Sequence, residues 1–150
     1  MAELPPPPPP PAEQPRPARP LGVTIIAVLQ FLGGAFLILA GAVLAALPQL
    51  LELEELLAPG LGYLFGGLGA FAMIIGALAL AIGWGLWTGK SWAWWLTVIL
   101  EALSLVFSLL SLALGDPTGI VSLIIAAIIL YYFFKPHVKA FFGVRISFST

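Results

Sequence analysis

The sequence predicts an all-α membrane protein, a bundle of four transmembrane helices with both termini on the cytoplasmic side. Three observations lead there. Of 150 residues, 61% are apolar and 9% charged, where a soluble domain carries about 45–50% and about 25%. Four long apolar runs follow one another with polar punctuation between them. Every Lys and Arg falls in alternate segments outside those runs. A small domain in water leaves a large share of its area exposed, so most of this chain must take lipid as its solvent.

Residues 1–20 stand apart as a disordered, proline-rich cytoplasmic tail. Seven consecutive prolines run from Pro5 to Pro11, and Pro15, Pro17 and Pro20 follow. Such a run lacks amide donors and has a fixed φ, which favours extended polyproline II. A solvated spacer is the expected role, with an SH3-like groove as the alternative partner. Arg16 and Arg19 lead directly into a long apolar span with no small-residue cleavage site behind a short hydrophobic region, so the span is expected to be a retained anchor.

The transmembrane domain is expected over residues 21–134, with spans at about 21–47, 61–87, 92–114 and 117–134. Pro48 and the acidic residues Glu52, Glu54 and Glu55 close the first span. Gly89 and Lys90 end the second, Ser91 is the expected N-cap of the third, and Asp116 and Pro117 are the expected N-cap and first residue of the fourth. About 20 apolar residues cross a hydrocarbon core roughly 30 Å thick. The first two spans exceed that length and the fourth depends on flanking anchors. Leu50, Leu53 and Leu57 between Pro48 and Pro59 suggest a short interfacial helix.

The basic residues set the orientation. Arg16 and Arg19 lie in the tail, Lys90 between spans two and three, and Lys135, Lys139 and Arg145 after span four. The other two loops carry only Glu52, Glu54, Glu55 and Asp116. The tryptophans agree: Trp84, Trp87, Trp92, Trp94 and Trp95 all flank the Lys90 turn, and Tyr131 to Phe134 end span four, at the level where amphipathic rings settle. Trp87, Lys90, Trp92, Trp95, Lys135 and Lys139 are thus the expected interface anchors. Residues 135–150 are expected to form a basic, aromatic tail, with Val138, Phe141, Phe142 and Val144 on the anionic inner leaflet.

Lipid gives helices no hydrophobic reason to associate, so small residues must bring them together. In span two, Gly62, Gly66, Gly69 and Gly76 recur at spacings of four, three and seven, with Gly83 seven further on. That is one face at coiled-coil period. Span one offers Gly34, Gly41 and Ala45, and span four offers Gly119, Ser122 and Ala126. Span two is therefore expected at the centre of the bundle.

Glu101 is the residue that most needs a reason. It lies 11 residues past Lys90 and 15 before Asp116, near mid-membrane, where a carboxyl costs on the order of a few kcal/mol. Thr97, Glu101, Ser104, Ser108 and Ser111 are spaced four, three, four and three, one polar stripe on one helix face. Gln30 lies at similar depth in span one, so a Gln30–Glu101 hydrogen bond is expected. No Lys or Arg lies within the spans, and burial without a cation favours the neutral acid. Glu101 is then either an ion or proton site with the hydroxyls lining a path, or a hydrogen-bonding carboxyl that holds helices together.

No nucleophile triad, HExxH, phosphate loop or dinucleotide fingerprint is present. His137 is the only histidine, and cysteine is absent, which excludes disulfides and thiolate metal sites. No catalytic residue, metal or cofactor is expected, and the chain is not expected to be an enzyme. Net charge is −1, which argues against a nucleic-acid partner. The expected partners are the bilayer, a second copy of the chain, or a larger membrane complex, and the expected place is a cell membrane. The expected role is structural or accessory, with a small transporter or channel using Glu101 as the alternative.

Three stretches carry a family resemblance: residues 19–24 at the start of span one, residues 85–94 around the Lys90 turn, and residues 131–143 ending the chain's apolar part. Together they resemble four-span membrane proteins of prokaryotes, many of them archaeal. The resemblance implies the four-helix architecture and a prokaryotic plasma membrane. It brings no activity and no assigned site residues.

Overall fold

The computed structural model describes residues 2–12, 15, 17–56 and 58–144, leaving out the side chain of Glu54. Arg16, Leu57 and Arg145 lie outside the described residues. So does the part of the C-terminal tail after Val144. The described residues form α1 (Leu21–Leu50), a 3₁₀ turn (Leu53–Glu55), α2 (Leu61–Thr88), α3 (Ser91–Ala113), α4 (Gly119–Phe133) and α5 (Pro136–Phe141), with no strand among them. Residues 2–12 have no regular secondary structure and are exposed. Three helices, α1, α2 and α3, are long and apolar enough to cross a membrane, and α4 is a shorter apolar helix of 15 residues.

Apolar residues cover the outside. On α1, Leu29, Leu32, Phe36, Leu39 and Val43 are exposed, one face at helical spacing, while Ala27, Gly34 and Gly41 are buried on another. Water would expel the first face, whereas lipid accepts it. The fold is thus that of a helical membrane protein.

Helices α1 and α2 pack closely along one seam. A Cβ on Gly34 would meet Gly76 O at 2.7 Å, and one on Gly76 would meet Gly34 O at 2.7 Å. Gly41 and Gly69 face each other in the same reciprocal way. Gly83 continues the seam against Ala27 and the Cβ of Gln30. Only glycine lets two backbones approach so far. Gly62 and Gly66 do not enter this interface, because nothing stands within 4 Å of their Cβ positions. Helix α2 is also not central: its long contact is with α1, and it meets α3 only sparingly.

Helices α3 and α4 form a second antiparallel pair. A Cβ on Gly119 would lie 2.8 Å from Ser108 O, and at the other end Trp94 Nε1–H donates to Phe133 O at 3.0 Å. Both pairings fit one register, which sets Ala126 opposite Glu101.

The two pairs meet at the Lys90 end. Val23, Ala27, Ile82, Leu86, Ala93, Trp94, Phe133, Val138 and Phe142, drawn from α1 to α4, α5 and the residue after it, form one buried cluster. Gly22 N–H donates to the Tyr132 hydroxyl at 3.1 Å, satisfying a free amide in a first turn that Pro20 leaves without a side-chain cap. Arg19 reaches over Trp87, with its guanidinium carbon 3.7 Å from the ring centroid.

Several expected boundaries shift. Helix α1 runs through Pro48 to Leu50 rather than stopping near Leu47. A proline in the last turn removes one donor, and Leu51 N–H still bonds Leu47 O at 3.1 Å. The expected interfacial helix is only a 3₁₀ turn, because Glu52 takes a left-handed φ of 53° and breaks helical continuity. Ser91 is the first residue of α3 and not its cap; Lys90 precedes it in extended geometry with no side-chain cap. That geometry follows from the end of α2. Gly89 at φ 73° lets Lys90 N–H bond Gly85 O at 2.8 Å and Gly89 N–H bond Leu86 O at 3.3 Å, the six-to-one and five-to-two pair of a Schellman turn. Regular α4 begins at Gly119, after a turn through Pro117 and Thr118. Pro136 opens α5 as well as ending α4. Val138 and Phe142 then turn back into the cluster instead of toward a leaflet, with Phe142 stacked on Phe133 at 6.0 Å between ring centroids.

Gly76→Val should cost about 1–3 kcal/mol through overpacking against the α1 backbone. Gly66→Val, with open space around it, should change stability by less than about 0.5 kcal/mol. Reversible unfolding in mixed micelles measures both; equal effects would contradict the seam.

Candidate functional site: the polar face of α3

The polar stripe expected on α3 does lie along one face, and its members fall into three environments. Near the Lys90 end, Thr97 is 3% exposed and its Oγ1 has no hydrogen-bond partner. At mid-helix, Glu101 is half-buried, and among the described residues it has no hydrogen bond or ion pair. Toward the far end, Ser108 is buried and donates to Ser104 O at 2.7 Å, while Ser111 donates to Asp116 Oδ2 at 3.0 Å.

The expected Gln30–Glu101 hydrogen bond is absent. Gln30 is half-buried with its Cβ against Gly83 of α2, so the α1–α2 seam occupies the face that would have reached α3. Equal depth in two spans does not make two side chains neighbours when their helices belong to different pairs.

Ser104, Phe107, Ser108 and Ser111 from α3, with Thr118, Gly119 and Ser122 from the start of α4, line an open groove of about 260 Å³. Five of those seven side chains carry hydroxyls. Thr118 as a polar member was not signalled by the α3 spacing. Its place follows from Asp116, whose Oδ1 accepts both the Thr118 N–H at 2.9 Å and the Thr118 hydroxyl at 2.7 Å. This turn folds because Gly115, at φ 90°, lets Asp116 N–H return to Ser111 O at 3.0 Å. Asp116 is therefore not the N-cap expected of it, nor Pro117 the first helical residue: α4 begins at Gly119 behind Thr118, with no side-chain cap, because the Asp116 carboxylate is engaged by the Thr118 amide within the α3–α4 turn. Its carboxylate is held below the usual carboxylate range, first by the Thr118 hydroxyl, then by the Thr118 amide and the Ser111 hydroxyl.

The expected interface anchors gather at the Lys90 end. Trp87 lies under Arg19 and carries its hydrogen bond at 3.3 Å. Trp92 packs on Gly85 and remains partly exposed, as does Trp95. Trp94 is the exception, with no exposure, edge-on to Trp95 and to Phe134 at 5.1 and 5.5 Å. A tryptophan among four others gives no sequence sign that it alone is buried. Lys135 Nζ is 5.4 Å from the Tyr131 ring centroid, and Lys139 falls in the last turn of α5.

A second cavity of about 570 Å³ opens between the Glu52 ends of α1 and α2, beside Ala45, Gln49, Gly62, Tyr63 and Gly66. It is the space left where the glycine seam is not filled. Among the described residues, no three His, Cys, Asp or Glu side chains are placed to hold a metal ion.

The lowered folded-state value of Asp116 fixes a sign. Its contribution to stability is complete above the unfolded carboxyl value and is lost as pH falls through the folded one. Acid titration of thermal unfolding should show a smaller loss over that window in Asp116→Ala than in the parent chain; identical profiles would contradict the hydrogen-bonded turn. Compared with known proteins, the chain matches no family model, no curated protein and no solved structure.

Proposed function

We propose that this chain is a four-span protein of a cell membrane, with both termini on the cytoplasmic side, serving as a structural or accessory subunit that meets itself or a larger membrane complex. The observation that carries this reading is the open end of the glycine seam. Gly62, Gly66 and Gly67 have nothing within 4 Å of their Cβ positions, on a helix that elsewhere uses glycine for backbone contact. In lipid such a bare surface gains from the close approach of another helix.

The topology rests on charge. Among the described residues, Arg19, Lys90, Lys135 and Lys139 lie at one end of the helices and Glu52, Glu55 and Asp116 at the other, the asymmetry that orients membrane proteins. Helix α4 covers about 22 Å at 1.5 Å per residue. For α4 to span, the Asp116–Thr118 turn before it and the segment from Phe134 after it must make up the rest, with Tyr131 and Tyr132 in its last turn as interfacial anchors. The resemblance to four-span prokaryotic proteins accords with this.

One observation favours a second reading, a small transporter or channel. Among the described residues Glu101 has no hydrogen-bond or ion-pair partner, and a hydroxyl-lined groove approaches it from Ser104.

A reporter fused after Thr150 should report cytoplasmic and one inserted near Glu54 external; the reverse pattern would sink the topology. For Glu101, the accessory reading expects Glu101→Gln to preserve assembly in native-membrane crosslinking and Glu101→Leu to lose it. If Glu101→Gln instead abolishes a proton-dependent flux in liposomes while assembly is intact, the second reading holds.

A further inference from the structure

We propose that Glu101 is a protonation site in exchange with the solution on the Asp116 side only, by way of the hydroxyl-lined groove between α3 and α4. This deepens the second reading above and rests on it and on the four-span topology.

The groove supplies the access. Its mouth is the Asp116 turn, where Ser111 and Thr118 bond the carboxylate. Its walls carry Ser104, Ser108 and Ser122, and its volume of about 260 Å³ admits several waters with hydroxyl partners. The lining extends inward to Ser104, which is three residues from Glu101 on the same helix face. Hydrocarbon alone would gain nothing from five hydroxyls there, and waters along them lower the cost of a carboxyl at that depth.

The far side supplies the seal. One turn beyond Glu101 stands Thr97, 3% exposed, with an unpartnered Oγ1 on the same face as the carboxyl. A buried hydroxyl without a partner is costly, and a carboxyl one turn away is the nearest polar side chain along that face, one to which the hydroxyl can donate or from which it can accept. Past Thr97 the face turns apolar. Ala93 and Trp94 have no exposure and join Leu86, Phe133, Val138 and Phe142 in the buried cluster. Among the described residues, the members of that cluster carry no hydroxyl or carboxyl, and the Tyr132 hydroxyl packed beside them is engaged by Gly22 N–H at 3.1 Å.

The ligand chemistry follows from the donors at this depth. The antiparallel register puts Ala126 opposite Glu101, so the oxygens available are those of Thr97, Glu101 and Ser104 on one helix. A hard cation takes about six oxygens around it, which one helix face cannot provide. A proton needs one. Among the described residues no other ionisable group faces Glu101: α1, α2 and α4 contain no Asp, Glu, Lys, Arg or His, and Tyr63, Tyr131 and Tyr132 are in terminal turns. The step itself is one carboxyl O–H bond made or broken, with the proton taken from or given to water in the groove.

The chain has no cysteine, so single-cysteine variants of the full protein in oriented proteoliposomes report access cleanly. A membrane-impermeant thiol reagent should label Ser104→Cys and Ser122→Cys from the Asp116 side and lose that labelling when confined to the Lys90 side. Thr97→Cys should label from neither. Glu55→Cys and Lys90→Cys mark the two faces. In infrared difference spectra, an acid step on the Asp116 side should raise a protonated-carboxyl band that Glu101→Gln lacks, and the same step on the Lys90 side should not. The proposal is overturned if Glu55→Cys labels while Ser104→Cys and Ser122→Cys do not, or if those two label from the Lys90 side. It is also overturned if the band ignores pH and responds to sodium at fixed pH, which would make this a cation site. Labelling of Glu55→Cys and Lys90→Cys from the same face would overturn the four-span topology itself.

Discussion

The structure depends on the burial of Trp94. Its indole has no exposure, its N–H is satisfied by Phe133 O at 3.0 Å, and the cluster around it draws from α1 to α4 and from α5 with its following residue. An indole in an apolar layer needs its one donor satisfied, and the carbonyl that meets it, Phe133 O, is at the C-terminal turn of α4, where helical carbonyls lose their partners. That bond therefore fixes where α4 ends relative to α3. Helix α5 can then fold back from Pro136 so that Val138 and Phe142 cover the ring layer. Without this cluster little would join the α1–α2 pair to the α3–α4 pair, because close backbone approaches between them are few.

The two pairs are held by different means. The α1–α2 seam uses reciprocal Gly–carbonyl contacts at Gly34–Gly76 and Gly41–Gly69, which maximise dispersion contact and leave no room for water. The α3–α4 pair has one such contact, at Gly119, and beyond it hydroxyls bonded to their own helix or to the turn, as Ser108 is to Ser104 O. A serine that bonds four residues back satisfies itself and gives little to its neighbour. The second pair is thus the looser one, and it is the pair that carries the groove and Glu101.

What the sequence disclosed, and what it hid, follows from this division. Helix positions were legible from hydropathy, the α2 end from Gly89, and the polar stripe from spacing, since each is local. Half the glycine face was legible, too: Gly69 and Gly76 pack, but Gly62 and Gly66 repeat the same spacing without a partner, because α1 ends its contact near Ala45. Which helices pair is not local information. The Gln30–Glu101 expectation assumed one bundle in which equal depth means contact, and the pairing of α1 with α2 removes it. The burial of Trp94 was hidden among four other tryptophans, and the inward turn of Val138 and Phe142 behind a charge pattern that suits a leaflet equally well.

The unequal lengths of the pairs bear on Glu101. At 1.5 Å per residue, the 30 residues of α1 and 28 of α2 extend about 45 and 42 Å, whereas the 15 of α4 extend about 22 Å. One bilayer cannot match both. In the proposed four-span arrangement the long pair would tilt or protrude at its Glu52 end, and lipid next to α4 would thin toward the Asp116 turn. Such thinning would draw headgroups and water inward on the side of Ser104, Ser108 and Ser111 and shorten the dry distance between Glu101 and solution. On the opposite side the path from Glu101 meets the buried cluster around Trp94. A mid-helix carboxyl would then be less costly from one direction than from the other, and in that arrangement the short helix α4, rather than any property of Glu101, makes the difference.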